Sequence, residues 1–111
     1  GHDVRLFQAI PQFPGWSPFS CTVADLLISD EGCGTSVPRS VMDDRQAAAL
    51  RMFTQASQES ASPLIDVRDE LCTGGVCATN SGDTWRFRDP FHITVAESER
   101  LTLQVRSGLV R

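Results

Sequence analysis

Asp89 and His92, in the stretch RFRDPFH, have the types and the spacing for acid–base chemistry. A carboxylate that accepts the proton on one imidazole nitrogen leaves the other free to take a proton from a hydroxyl and return it later to a leaving group. Histidine suits that exchange because its proton comes and goes near neutral pH. The chain has only two histidines, and this one ends an alternation of aromatic and basic residues, Trp85-Arg86-Phe87-Arg88. Pro90 fixes its own backbone angle and biases Asp89 toward an extended conformation. The carboxylate is thereby held outside the helix expected to start just after His92. Plain turn chemistry fits the same residues: Asp89 caps a turn and His92 is a partly exposed side chain.

Catalysis needs more than the pair. It requires a nucleophile, and donors aimed where an oxyanion develops, each worth about 3 kcal/mol of barrier lowering. The hydroxyls in the chain are poor candidates. Ser81 and Thr84, in SGDTW, precede an extended segment and not a helix that would aim an oxygen or backbone donors, and Ser20 beside Cys21 is no better placed.

The elements that must position the pair read as an α/β arrangement. DVRLFQAI, residues 3–10, is a short, mostly apolar run with the look of an interior strand of a parallel sheet, stopped by Pro11. PQFPGWSPFSC then forms a long loop at the strand's carboxyl end, where open α/β folds place binding surface. Phe13, Trp16 and Phe19 are its aromatic residues. Ser40 in SVMD is the expected helix cap, with Asp43 completing a capping box. The following DRQAAALRMFTQASQ is a strong helix former, with Ala49, Phe53 and Ala56 supplying part of an inward stripe and the helix's methionines and phenylalanine expected in the core. PLIDVRDEL supplies a second strand through Leu64, Ile65 and Val67, which makes a strand–helix–strand unit with parallel strands. TWRFR is a short extended segment. Thr94 and Glu97 in TVAE form a second capping box, and Leu101, Val105 and Leu109 mark the apolar side of a closing helix.

With 111 residues, one domain is the natural reading. The net charge of -4 and ten scattered basic residues give nucleic acid no electrostatic footing. No apolar run approaches the roughly 20 residues that span a bilayer, and GHDVRLF lacks the plan of a signal peptide. The four cysteines allow three pairings. Cys21 with Cys33 and Cys72 with Cys77 are favoured because each closes a local polar loop, and such bridges imply an oxidising compartment. Metal thiolates or free buried cysteines are the alternatives. The separation of Cys21 from Cys33 is wrong for a zinc knuckle, and CTGGVC does not have the spacing of a thioredoxin-like motif.

The stretch PLIDVRDELCTGGVCATNSGDTWRFRDPFHITVAESERL resembles the carboxyl-terminal portion of SGNH-type domains fused to membrane acyltransferases of the acyltransferase-3 family. The resemblance is carried by IDVRDELC, by the second cysteine Cys77, by the aromatic-Arg-Asp step at Phe87–Asp89, and by DPFHIT, where Ile93 replaces the family's usual leucine. AIPQFP is also similar to the segment after the preceding family strand. The resemblance implies a three-layer α/β/α, flavodoxin-like parallel sheet, with residues 1–111 forming its later, carboxyl-terminal half. A missing amino-terminal half or a separate chain carrying the serine nucleophile would complete it. It also implies that Asp89 orients His92, which acts as general base and acid in transfer or hydrolysis of an O-acyl ester on a cell-envelope glycan. No cofactor and no metal is expected. The setting would be the extracellular or periplasmic face of a bacterial membrane, in a membrane-anchored parent, and this chain alone would be inactive. The competing reading is a disulfide-stabilised, non-catalytic carbohydrate- or protein-binding module that works through PQFPGWSPF.

Overall fold

The computed structural model describes residues 1–28, 33–103 and 105–106. In chain order it runs β1 (Leu6–Phe7), a 3-10 turn (Pro18–Ser20), α1 (Val23–Ile28), β2 (Ser36–Pro38), α2 (Arg39–Arg45), α3 (Ala47–Ser60), β3 (Leu64–Ile65), α4 (Arg68–Leu71), β4 (Cys72–Thr73), β5 (Val76–Ala78), β6 (Asn80–Ser81), β7 (Thr84–Trp85), β8 (Phe87–Asp89), β9 (His92–Ile93) and α5 (Val95–Arg100). β1 and β3 pair in parallel, Leu6 against Leu64 and Phe7 against Ile65, with α2 and α3 between them in the chain. The strand–helix–strand unit expected from the sequence is therefore present.

The first strand is shorter than the apolar run over residues 3–10. Its ladder continues through Gln8, whose N–H donates to the Ile65 carbonyl at 2.8 Å. Beyond that point side chains capture the backbone: Ala9 O accepts from Arg68 at 2.8 Å and Ile10 O from Gln46 at 2.8 Å. Those carbonyls are no longer offered to a neighbouring strand. β1 is also not buried on both faces, since Phe7 is half exposed and, among the described residues, β1 pairs with β3 alone.

Elsewhere the pairing is antiparallel, which departs from a purely parallel sheet. The remaining sheets are β2-β5-β4, β6-β7 and β8-β9. Turn chemistry explains this. Gly74 and Gly75 both have positive φ, 64° and 77°, the requirement of a two-residue hairpin turn that matches strand twist. β4 and β5 must then run antiparallel, and Cys72 falls directly opposite Cys77. Gly82, at φ 57°, makes the tight turn of the β6–β7 hairpin. The protein is thus an α/β domain with mixed parallel and antiparallel pairing and flanking helices.

Two helix expectations change. α2 starts at Arg39 with Pro38 as its N-cap and no side-chain cap bond, so Ser40 lies inside the helix. Asp43 does not complete a box; its carboxylate accepts from buried Arg68 at 2.6 Å. The helix also breaks at Gln46, where the backbone leaves helical geometry at φ -103° and ψ 10°. The Gln46 side chain reaches away to Ile10 and Arg68. In α3, Ala49, Phe53 and Ala56 are half-buried, but Met52 is exposed. Met42, one break earlier, is the methionine in the core.

The core gathers Phe13, Met42, Ile65, Val67, Leu71, Cys72, Cys77, Phe87 and Leu101. Phe13 packs edge-on against Phe87, with ring centroids 4.9 Å apart, a favoured aromatic arrangement. Both favoured disulfides form, Cys21–Cys33 and Cys72–Cys77. Leu101 is buried and Val105 half-buried along the closing helical turns; Leu109 lies outside the described residues.

Candidate active site

The pair sits on the β8–β9 hairpin. Phe87, almost fully buried, anchors β8 under Phe13. The Phe13 N–H donates to the Pro90 carbonyl at 2.9 Å, so the long loop after β1 fastens the hairpin turn from above. Phe87 pairs with Ile93 and Asp89 with His92, with a register irregularity between Phe87 and Asp89. One extra residue there re-aims the tip of the hairpin. It lets Phe87 stay in the core while Asp89 faces His92 across the turn.

Asp89 does two things at once. Its Oδ1 accepts from the Phe91 N–H at 2.8 Å, closing a local turn, and from His92 Nδ1 at 2.9 Å, with Oδ2 at 3.0 Å from the same nitrogen. The turn and catalytic readings of D-x-x-H are therefore not exclusive, because one carboxylate supports both. The backbone N–H of Phe91 is the main influence holding the Asp89 carboxyl below the usual carboxylate range. Partial desolvation opposes it, and the His92 hydrogen bond and charge add to it. An ionised carboxylate only accepts hydrogen bonds, so Nδ1 carries the proton. In the neutral ring Nε2 then holds the free lone pair. The imidazole is well exposed, and among the described residues Nε2 makes no hydrogen bond. Among the described residues no hydroxyl is hydrogen-bonded to it, and Ser20, Ser81 and Thr84 are all exposed.

The base of the hairpin is clamped by Thr94 and Glu97 together with two arginines, Arg86 and Arg100, whose part the sequence did not single out. Thr94 caps α5 as expected, its Oγ1 accepting from the Glu97 N–H at 3.1 Å and donating to Trp85 O at 3.0 Å. The reciprocal half of the capping box is absent, since the Thr94 N–H goes to Arg86 O at 2.9 Å. The Glu97 carboxylate, almost fully buried, instead receives Arg100 Nε at 3.0 Å and lies 3.9 Å from Arg86 Nε. A buried carboxylate needs such partners. The Glu97 hydrogen bond in turn raises the Arg100 guanidinium above its ordinary value. Arg100 also donates to Glu70 O at 3.0 Å, tying α5 to α4.

A second cluster lies where β1 and β3 end. Buried Arg68 donates to Ala9 O, Gln46 Oε1 and Asp43 Oδ1, locking the strand ends to the α2–α3 break. Nothing in RDEL marks Arg68 for this role in advance. Between the parallel pair and the last helical turns is a cavity of about 320 Å³ whose apolar lining includes Phe7, Ile10, Val67, Ile93 and Leu101. Successive strand residues face opposite sides, so Ile93 turns toward this cavity and His92 away from it. No helix among the described residues is long and apolar enough to cross a membrane, and none of them form a group of three or more His, Cys, Asp or Glu side chains able to hold a metal ion.

A family model described as an SGNH domain, fused to AT3 domains, matches residues 1–106. No curated protein and no solved structure matches. The family match corrects the expectation that the chain is the carboxyl-terminal half of such a domain. It takes in nearly the whole chain as an SGNH domain, and the half-domain reading is withdrawn.

Proposed function

The chain belongs to the family of SGNH domains fused to AT3 domains, a membrane acyltransferase family, and from that premise we propose that it serves transfer or hydrolysis of an O-acyl ester on a cell-envelope glycan, with Asp89 and His92 as its acid–base pair. The observation that carries this reading is the 2.9 Å contact between His92 Nδ1 and Asp89. It sets the tautomer that leaves Nε2 ready to accept a proton at an exposed position. In the forward step a serine hydroxyl approaches Nε2 and gives up its proton as its oxygen attacks the acyl carbonyl. The imidazolium, stabilised by Asp89, then returns the proton to the leaving alcohol, and a serine ester results. A sugar hydroxyl or water resolves that ester by the same proton path. The attacking serine approaches over the exposed face of the β8–β9 hairpin, and the step uses no cofactor or metal.

The two disulfides support placement in an oxidising setting, on the extracellular or periplasmic face of a bacterial membrane. The binding-module alternative gains less, because of the three loop aromatics Phe13 is in the core and only Phe19 is fully open. The test is acyl transfer to glycan by the membrane-embedded parent protein carrying Asp89→Asn or His92→Ala. Both variants should lose turnover while remaining folded. Full activity in His92→Ala would overturn the assignment.

A further inference from the structure

Among its described side chains, α1 buries none. It has six residues, far below the length at which an isolated helix is stable in water. Yet Val23, Leu26 and Leu27 are 70%, 63% and 79% exposed, and Phe19 just before it is 92% exposed. On a helix of 3.6 residues per turn, Val23, Leu26 and Leu27 fall within an arc of about 100°, with Asp25 about 150° from its centre. These are not scattered surface residues but one face.

Local devices hold that face in shape. Thr22 and Asp25 form a complete capping box: Thr22 Oγ1 accepts from the Asp25 N–H at 3.2 Å, and Asp25 Oδ2 accepts from the Thr22 N–H at 2.8 Å. The Cys21–Cys33 disulfide closes the loop. Trp16 donates from Nε1 to Cys33 O at 2.9 Å and stacks near Trp85, rooting the loop against the rest of the molecule. An organised apolar face this exposed marks a contact surface.

We propose that Phe19, Val23, Leu26 and Leu27 form a wedge that seats this domain on the surface of a lipid bilayer. Two observations select a bilayer as the occupant. The family joins this domain to a membrane acyltransferase domain, which puts a bilayer within reach. Residues 11–28 carry a single charged side chain, Asp25, and it lies away from the apolar arc. With no basic residue of its own, this segment draws nothing from anionic headgroups or from an acidic protein, so its contact comes from apolar burial.

The test uses the 111-residue chain with both disulfides intact and zwitterionic phosphatidylcholine vesicles. The chain should co-sediment, with little change when anionic phosphatidylglycerol is added or salt is raised. Leu26→Ser combined with Leu27→Ser should weaken partitioning by about tenfold or more. Met52→Ser, at an exposed apolar residue on α3, should leave it unchanged. In Phe19→Trp, the added emission should shift to the blue and be quenched by lipids brominated in the acyl chain. The proposal is overturned if the chain stays in the supernatant with every vesicle, which would leave the face to a protein partner. It is equally overturned if binding requires anionic lipid or survives the double serine substitution.

Discussion

The β8–β9 hairpin and the α1 loop both present exposed side chains, and both lead into or contain a helix capped by threonine, yet they meet the core in opposite ways. In the hairpin, half-buried Asp89 and exposed His92 stand beside Phe87, which is 1% exposed, and on a base held by buried Glu97 with Arg86 and Arg100. In α1, no described side chain is buried, and the shape rests on a capping box and a disulfide. Packing fixes the hairpin to the tolerance of a hydrogen bond, which acid–base chemistry requires. Local bonds fix only the outline of α1, which is enough to present apolar area. The chemistry is thus assigned to the region whose neighbours are buried, and contact to the region whose neighbours are not.

The largest expected effect separates the two regions by activity. His92→Ala should lower acyl transfer by the parent protein by about 10²–10⁴-fold, while its thermal midpoint stays near that of the unsubstituted protein because the ring is exposed. A steady-state ester assay beside a melting curve checks both. Next, Phe87→Ala should cost about 3–5 kcal/mol in denaturant unfolding, because it empties the contact with Phe13. Glu97→Gln should cost about 1–3 kcal/mol, by weakening the bonds that Arg100 and Arg86 make to a buried acceptor. Equal stability of the Phe87→Ala and Phe19→Ala variants would erase the contrast between the regions.

A smaller effect depends on pH. The folded-state pKa of Asp89 lies below its unfolded value, chiefly through the Phe91 N–H and then through His92. On acidification the unfolded chain binds the proton first, so the contribution of this turn is fully present above the ordinary carboxylate range. It is lost as pH falls through the lowered value. The stability difference between the protein and Asp89→Asn should therefore be constant near neutrality and shrink in acid. Smallest of all, Phe19→Ala should change stability by no more than about 0.5 kcal/mol.

Local features were legible in the sequence. Asp89, Pro90 and His92 interact over three residues, CTGGVC closes on itself through two glycines, and Thr94 caps the helix it precedes. Each needs only nearby chain, and each was readable as a motif. The apolar runs around Leu6 and Leu64 also announced the parallel pair. The features that stayed hidden depend on side-chain partners outside the motif that was read. Asp43 reads as a capping residue until Arg68, 25 positions on, takes its carboxylate. Glu97 reads as the other half of a box until Arg86 and Arg100 enclose it. The strand over residues 3–10 is cut short by side chains from α4 and from the α2–α3 break. The capping box of α1, TVAD, was local and still missed, because no long apolar periodicity comes after it to mark a helix.

The central claim is that Asp89 fixes the proton of His92 on Nδ1 and leaves Nε2 as the base. Long-range proton–nitrogen NMR of the His92 ring at neutral to mildly alkaline pH tests it directly. The neutral ring should be protonated at Nδ1 in the unsubstituted protein, and protonation should move toward Nε2 in Asp89→Ala. A ring already protonated at Nε2, or a tautomer indifferent to the loss of Asp89, would contradict the assignment of this pair.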